Sequence, residues 1–300
     1  MWRPGEARFL IVGASGFIGR HILAHTTSLG YEATGTQAQS RQPGLVTFDL
    51  ARDRIIDRLE RTFFKRDGPL AVVICAAISD MDRCLTDPQR TRAVNVEGTI
   101  QLIEDVRAFN AKLVYLSTNY VFDGGVGYYT EDHPLAPANV YGRHKAEVEA
   151  YLRTHAPDAV LIRPDKNIGD DPQEYHFFRT WHELLRTGQS IVCMEGQLIS
   201  PTYVNDTARA VALICQQGLT GVFHVVNPEY FYRDELARQF CLAAGRAPHV
   251  VTKPLKEFHF ADNRAPKACL DGSKFLRATG MRFTCVREVM ESFLRRVSCA

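Results

Sequence analysis

The sequence predicts a doubly wound α/β fold on a parallel sheet. Two features carry that reading. From Phe9 to about Arg163, short apolar runs alternate with longer amphipathic stretches, the pattern of strands buried on both faces and joined by helical crossovers. A Gly-x-x-Gly-x-x-Gly turn, Gly13 to Gly19, follows the first run directly and opens a helical stretch. With 300 residues and 45% apolar content, the chain can bury one large α/β core, alone or with a smaller appended region.

The elements are read in order. Residues 9–12 form the first strand and 17–29, closed by Gly30, the first helix. The second strand runs out into the stretch ending at Arg41, and 45–48 is the third. A helix over 53–64 leads to the fourth strand, 70–77. A long helix opened by Asp87-Pro88 and reaching Phe109 precedes the fifth strand, 113–117, and a helix over 139–154 precedes the sixth, 160–163. Each parallel neighbour needs such a crossover. After Arg163 the rhythm changes to a loop (164–172), helices over 173–186 and 204–216, and a proline-punctuated C-terminal part. The isolated run 222–226 is a candidate to return to the main sheet. The aromatic residues Tyr175, Phe177, Phe178 and Trp181 suit a helix that either covers a site or is simply buried.

Charge and cysteines narrow the function. A net charge of +2 from 36 basic and 34 acidic residues, well mixed, excludes a phosphate-tracking nucleic-acid surface. The charged start leads into an apolar run too short for a signal or membrane segment, so a cytoplasmic protein is expected. Eight scattered cysteines (75, 84, 193, 215, 241, 269, 285 and 299) show no metal-ligand spacing and read as reduced structural thiols. No metal is expected; Asp170-Asp171 before Pro172 reads as a turn with a capping role rather than a cation site.

Gly13-Ala14-Ser15-Gly16-Phe17-Ile18-Gly19 reads as the phosphate cradle of a Rossmann-type unit. Glycines let the backbone approach a pyrophosphate, and the helix start offers free N–H groups at the positive end of its dipole. A glycine loop alone could be a plain turn; its place between strand and helix points to a dinucleotide. About 20 residues on, NAD-selective sites set a carboxylate at the end of the second strand. This chain instead has Thr36 and Gln37 followed by a loop holding Arg41. With no acid to repel a 2′-phosphate and Arg41 available to pair with it, NADP(H) is expected; a solvated loop cation is the other reading of Arg41. Asp49 and Leu50 are candidate adenine contacts, Asp49 being otherwise a turn carboxylate.

Tyr141 and Lys145 stand four residues apart, hence on one helical face. An ammonium that close is expected to draw the phenol's pKa down toward working pH, as a general acid for a carbonyl oxygen requires. Such a pair also occurs by chance. What weighs for chemistry is Ser117-Thr118, two hydroxyls ending a buried strand about 25 residues upstream, where open α/β sheets bind ligands. Thr118 could hydrogen-bond a substrate oxygen while Tyr141 supplies a proton.

These residues together resemble an extended short-chain dehydrogenase/reductase, in particular the dTDP-4-dehydrorhamnose reductase family, over nearly the whole length. The carriers are Gly13 to Gly19, Cys75-Ala76-Ala77, Asn95-Val96, Ser117-Thr118-Asn119-Tyr120-Val121-Phe122-Asp123-Gly124, Pro137, Tyr141-Gly142 with Lys145, Arg163, Pro201-Thr202-Tyr203-Val204, Arg264-Ala265-Pro266 and Leu270-Asp271. The resemblance implies hydride transfer from NADPH to the C4 ketone of a nucleotide-linked deoxyhexose. It places Thr118 on the substrate oxygen, Tyr141 as proton donor and Lys145 on the nicotinamide ribose. It matches Gly16, Phe17 and Ile18 to the phosphate loop and Ala76, Ala77 and Ile78 to the cofactor-lining turn. Residues 1–165 would bind NADP(H) and 166–300 mainly the substrate; a homodimer is left open.

Two departures bear on the substrate. The family's Ser-Thr-Asp-Tyr-Val-Phe is here Ser117-Thr118-Asn119-Tyr120, a neutral amide for a carboxylate. Its Arg-Thr-Ser-Trp is here Arg163-Pro164-Asp165-Lys166, which removes an aromatic wall and adds a cation. Asn119 and Lys166 are therefore taken, with Thr118, as candidate substrate contacts. Competing readings are a nucleotide-sugar epimerase or dehydratase, for which Asn119-Tyr120 offers no acid, and a non-catalytic NADP-binding subunit resembling the β subunit of methionine adenosyltransferase.

Overall fold

The computed structural model describes residues 2–298; Cys299, counted among the cysteines above, lies outside the described residues. A seven-stranded parallel sheet forms the centre. Its strands are β1 (Arg8–Val12), β2 (Glu32–Gln37), β3 (Val46–Thr47), β4 (Leu70–Ile74), β5 (Lys112–Leu116), β6 (Val160–Arg163) and the strand Gly221–His224. In space the order runs from Gly221–His224 through β6, β5, β4, β1 and β2 to β3. The strand order reverses between β1 and β4, which opens a crevice at their carboxyl ends. The sheet is the doubly wound Rossmann-type arrangement.

Alternation along the strands feeds two cores. Phe9 and Ile11 of β1 and Val114 and Leu116 of β5 face one side, packing with Ile22 of α1 (Phe17–Ser28) and with Val211 and Ile214 of the helix Val204–Gln216. Leu10 and Val12, with Leu113 and Tyr115, face the other side and meet Leu102, Ile103, Val148 and Leu152. A third core, around Phe178, Trp181, Phe240 and Phe293, belongs to the C-terminal part. That part adds three short strand pairs, including Lys166–Ile168 beside Pro201–Tyr203. Tyr175 stays largely in solvent while Phe178 and Trp181 are buried.

Several elements differ from the periodicity reading, each for a local reason. The fourth strand ends at Ile74 because the Cys75 and Ala76 N–H groups both bond to the Val12 carbonyl at 2.9 Å, which turns the chain toward the glycine loop. The helix expected over 53–64 is two short turns, Ile55–Arg58 and Arg61–Lys65, parted by extended backbone at Leu59 and Glu60. The long helix from Pro88 is interrupted by a π-turn, Ala93–Gly98. There Asn95 turns its amide away to hold Ile78 N and O at 2.8 and 2.9 Å; π-turns of this kind often mark functional sites. The helix expected from residue 173 starts at Phe177, since Asp171 Oδ1 accepts from Gln173 N and makes a turn instead.

Among the described residues, no helix is long and apolar enough to cross a membrane. No group of three His, Cys, Asp or Glu side chains there could hold a metal.

Candidate active site

The crevice is built from the glycine turn outward. Gly13 has φ +91°, and a Cβ on it would lie 2.7 Å from Ala76 N; a Cβ on Gly19 would run into the Gly13 carbonyl. Both positions therefore exclude side chains so that β1, the turn after β4 and the start of α1 can meet. Gly13 N donates to Thr36 Oγ1 at 3.1 Å, which pins the loop to β2. Gly16, the residue before α1, makes no side-chain cap, and the first turn of α1 holds no acidic residue. The N–H groups at this helix start are thus free for an anion.

Two cavities that share Gly13, Gly16, Cys75 and Ala77 make one continuous cleft. The first, about 310 Å³, is walled by Ser15, Thr36, Asp49, Leu50, Ala76 and Ile78, together with Ala38, Gln39 and Ser40. The second, about 420 Å³, brings Phe17, Ile18 and Gly19 together with Thr118, Asn119, Tyr141, Lys145 and Lys166. Residues widely separated in the chain thereby line one space.

Two expected cofactor contacts lie elsewhere. The Gln37 amide is used up in closing its own loop: Nε2 donates to Gln42 O and Leu45 O, while Oε1 accepts from Gln42 N and Ser40 Oγ. Arg41 is exposed and outside both cavity walls. The cations that reach the first cavity are Arg83 and Arg90, the latter bonded to Asp49 Oδ2 at 2.7 Å, which holds that carboxyl below its ordinary range despite some burial. Arg83 lies on the short helix Met81–Thr86 and Arg90 on the next, Pro88–Arg92, both following Cys75-Ala76-Ala77.

The helix Val140–His155 places Tyr141 in its first turn and Lys145 one turn on, capped by Asn139 Oδ1 accepting from Gly142 N at 2.8 Å. Thr118 follows β5 and is buried; its Oγ1 accepts from Tyr120 N at 3.2 Å and donates to Asn119 Oδ1 at 3.3 Å. The electrostatics differ from the expectation. Lys145 Nζ donates to the Leu116 carbonyl at 2.7 Å and sits 4.4 Å from the centre of the Tyr115 ring, against 5.9 Å for the Tyr141 ring. Burial pushes the Tyr141 phenol above its ordinary value, with hydrogen bonding to Thr118 opposing. Burial also lowers the Lys145 ammonium to about 8. Desolvation outweighs the pair's mutual attraction here, so the phenol is held as a proton donor.

Behind the site stands a buried ion pair. Glu149 accepts from Arg163 Nε and Nη2 at 2.9 and 2.6 Å, both side chains being inaccessible to solvent, and from Ser117 Oγ at 2.5 Å. Arg163 Nη1 donates to His224 Nε2 at 3.2 Å; burial, then Arg163, lowers His224 to about 3 and keeps it a neutral acceptor. On the opposite wall Lys166 Nζ donates to Tyr120 OH at 2.7 Å. Asp165, which the sequence marks only as part of the departing quartet 163–166 and not as a site candidate, also lines the cavity.

Fold and lining together define a member of the extended short-chain dehydrogenase/reductase class. The family model described as RmlD substrate binding domain matches residues 7–299, and the chain belongs to that family. It is 30% identical over 249 residues to the dTDP-4-dehydrorhamnose reductase of Mycolicibacterium smegmatis, covering 81% of this chain and 71% of that one. It is 28% identical over 236 residues to methionine adenosyltransferase 2 subunit beta of Danio rerio, covering 76% and 71%. Among solved structures, dTDP-4-dehydrorhamnose reductase from Bacillus anthracis in complex with NADP superimposes with a TM-score of 0.81 at 23% identity, covering 97% and 98%.

Proposed function

We propose that the chain is an NADP(H)-dependent reductase of a nucleotide-linked 4-keto-deoxysugar. The observation that carries this reading is that Thr118, Tyr141 and Lys145 share one cavity with the first turn of α1. The cleft fits a dinucleotide: side chains are excluded at Gly13 and Gly19, uncapped N–H groups face the cavity, and Asp49, Leu50 and Ile78 wall a space for a base. Reduced NADP bound there supplies a hydride. Gly16, Phe17 and Ile18 would hold its phosphates and Lys145 its ribose.

The chain's own residues do the rest. The Thr118 hydroxyl, which donates to Asn119 Oδ1 in the free site, would turn its one hydrogen to the ketone oxygen and so orient it, and Tyr141 passes its proton to that oxygen as charge develops. Because burial raises the phenol's pKa, Tyr141 is fully protonated before reaction. The phenolate left behind is a buried anion, and Lys145, still mainly an ammonium at pH 7, is the cation placed to stabilise it. Lys166, whose ammonium keeps two hydrogens beyond its bond to Tyr120 OH, contacts the sugar, whereas the Asn119 amide is committed to Asp165 and Ala268.

A second reading is favoured by the similarity to a methionine adenosyltransferase β subunit: a subunit that binds NADP without turnover. A panel of 4-keto-sugar nucleotides made in situ, followed by loss of NADPH absorbance, separates the two. Turnover of at least one sugar is expected. NADPH binding by fluorescence with no consumption across the panel would replace the reductase reading by the subunit.

A further inference from the structure

The two departures from the family pattern meet in space. Asn119 follows β5 and Asp165 follows β6, and Asn119 Nδ2 donates to Asp165 Oδ1 at 2.7 Å. The same Nδ2 donates to the Ala268 carbonyl at 3.2 Å, and Asp165 Oδ2 accepts from Ser200 N at 2.7 Å. With both amide hydrogens committed, Asn119 can point only its oxygen at Thr118, whose hydroxyl donates to it. An asparagine amide can turn over with little change of shape; a carboxylate on one side and a carbonyl next to it permit a single orientation. In this chain the amide stands at the end of one strand and the carboxylate at the end of the next, and the two are in contact.

We infer that Asp165 is a positioning residue for the proposed reduction: by holding the Asn119 amide it presents an oxygen and not an N–H to Thr118, which keeps the Thr118 hydroxyl a donor, parked on Asn119 Oδ1 until it turns to the ketone. This rests on the reductase reading for its kinetic consequence alone. The carboxylate is in a shielded place. Burial raises it to about 6, with Lys166 and Ser200 N opposing, so its two N–H partners matter to its charge as well as to its geometry.

The test uses three variants of the full chain: Asp165→Ser, Asn119→Asp, and both together. Asn119→Asp sets two carboxylates face to face and should cost about 100-fold in kcat, and Asp165→Ser frees the amide and should cost about 10-fold, by the lost charged hydrogen bond. The double variant restores one carboxylate opposite a hydroxyl; its kcat should return to within about 5-fold of native, and its thermal midpoint should exceed that of Asn119→Asp. Additive losses in the double variant overturn the inference, and so does recovery of the midpoint without recovery of kcat, which would make the contact structural only. A readout without turnover accompanies these. In the native chain the Asn119 side-chain NH2 signals, identified by their loss in Asn119→Asp, should exchange slowly with solvent, and Asp165→Ser should speed that exchange at least about 10-fold. Unchanged exchange overturns the inference even if no keto-sugar is reduced, whereas absent turnover with altered exchange overturns the reductase reading and leaves the positioning intact.

Discussion

Replacing Lys145 by Met should make the chain more stable at pH 7 while removing its proposed activity. The ammonium is buried, with one hydrogen bond to Leu116 O and no carboxylate paired to it; Glu149 is taken by Arg163. Lysine's ordinary value of 10.5 falls to about 8 in the folded chain. Because the folded value is depressed, the destabilisation is absent above 10.5, grows as pH falls, and is complete below 8. At ~1.36 kcal/mol per pH unit it reaches about 3 kcal/mol at pH 7. Methionine keeps most of the packing and forfeits the Leu116 hydrogen bond, about 1 kcal/mol. The balance is a gain of about 2 kcal/mol, or roughly 4 °C in thermal midpoint for a chain of this size. At pH 9.5 the penalty shrinks to about 1 kcal/mol and the gain nearly vanishes. The assay is calorimetry of both proteins at pH 7 and 9.5. A lower midpoint for the variant at pH 7, or a gap that does not narrow at 9.5, would refute the account of Lys145 as a desolvated cation.

Tyr141→Phe should reduce NADPH turnover by about 1000-fold, the scale of a lost general acid, with NADPH affinity within about twofold of native; retained turnover in a stopped-flow assay would remove the proton donor. Glu149→Gln leaves Arg163 charged and buried without a counter-ion and should cost about 3–5 kcal/mol, seen as a large drop in denaturation midpoint; an unchanged midpoint would show the pair to be dispensable. Arg90→Ala, which also unpairs Asp49 in the cavity wall, should weaken NADPH about 10-fold. Arg41→Ala should weaken it only at low salt, because Arg41 is exposed and screened; equal effects of both at 0.3 M salt in fluorescence titrations would contradict their placement.

What could be read from the chain alone followed its short-range chemistry. Alternating apolar runs marked β1, β4, β5 and β6, and Gly13 to Gly19 marked the cradle, because burial and backbone clearance leave their trace within a few residues. The spacing of Tyr141 and Lys145 gave one shared helical face, yet the direction of the phenol's pKa did not follow. It depends on how deeply the pair is buried and on Leu116 O competing for the ammonium, and neither is written in a four-residue interval. Gln37 fell in the expected contact region, but its amide closes the loop to Leu45, a choice set by backbone geometry at 42 and 45. Arg83 and Arg90 arrive at the first cavity only because β4 lies beside β1. Asp165 is the extreme case: its partners stand 46, 35 and, by way of Asn119, 103 positions away in the sequence.

The bare amino end of α1 has an outcome for the whole chain's persistence. With glycine at the helix start in place of a capping side chain, the chain forgoes a few tenths of a kcal/mol that such a residue would have given. A bound pyrophosphate can make good that deficit, so nucleotide concentration and resistance to unfolding become one thermodynamic quantity. When the dinucleotide pool falls, more of the chain samples open forms, and turnover of the protein itself would track the supply of what it binds.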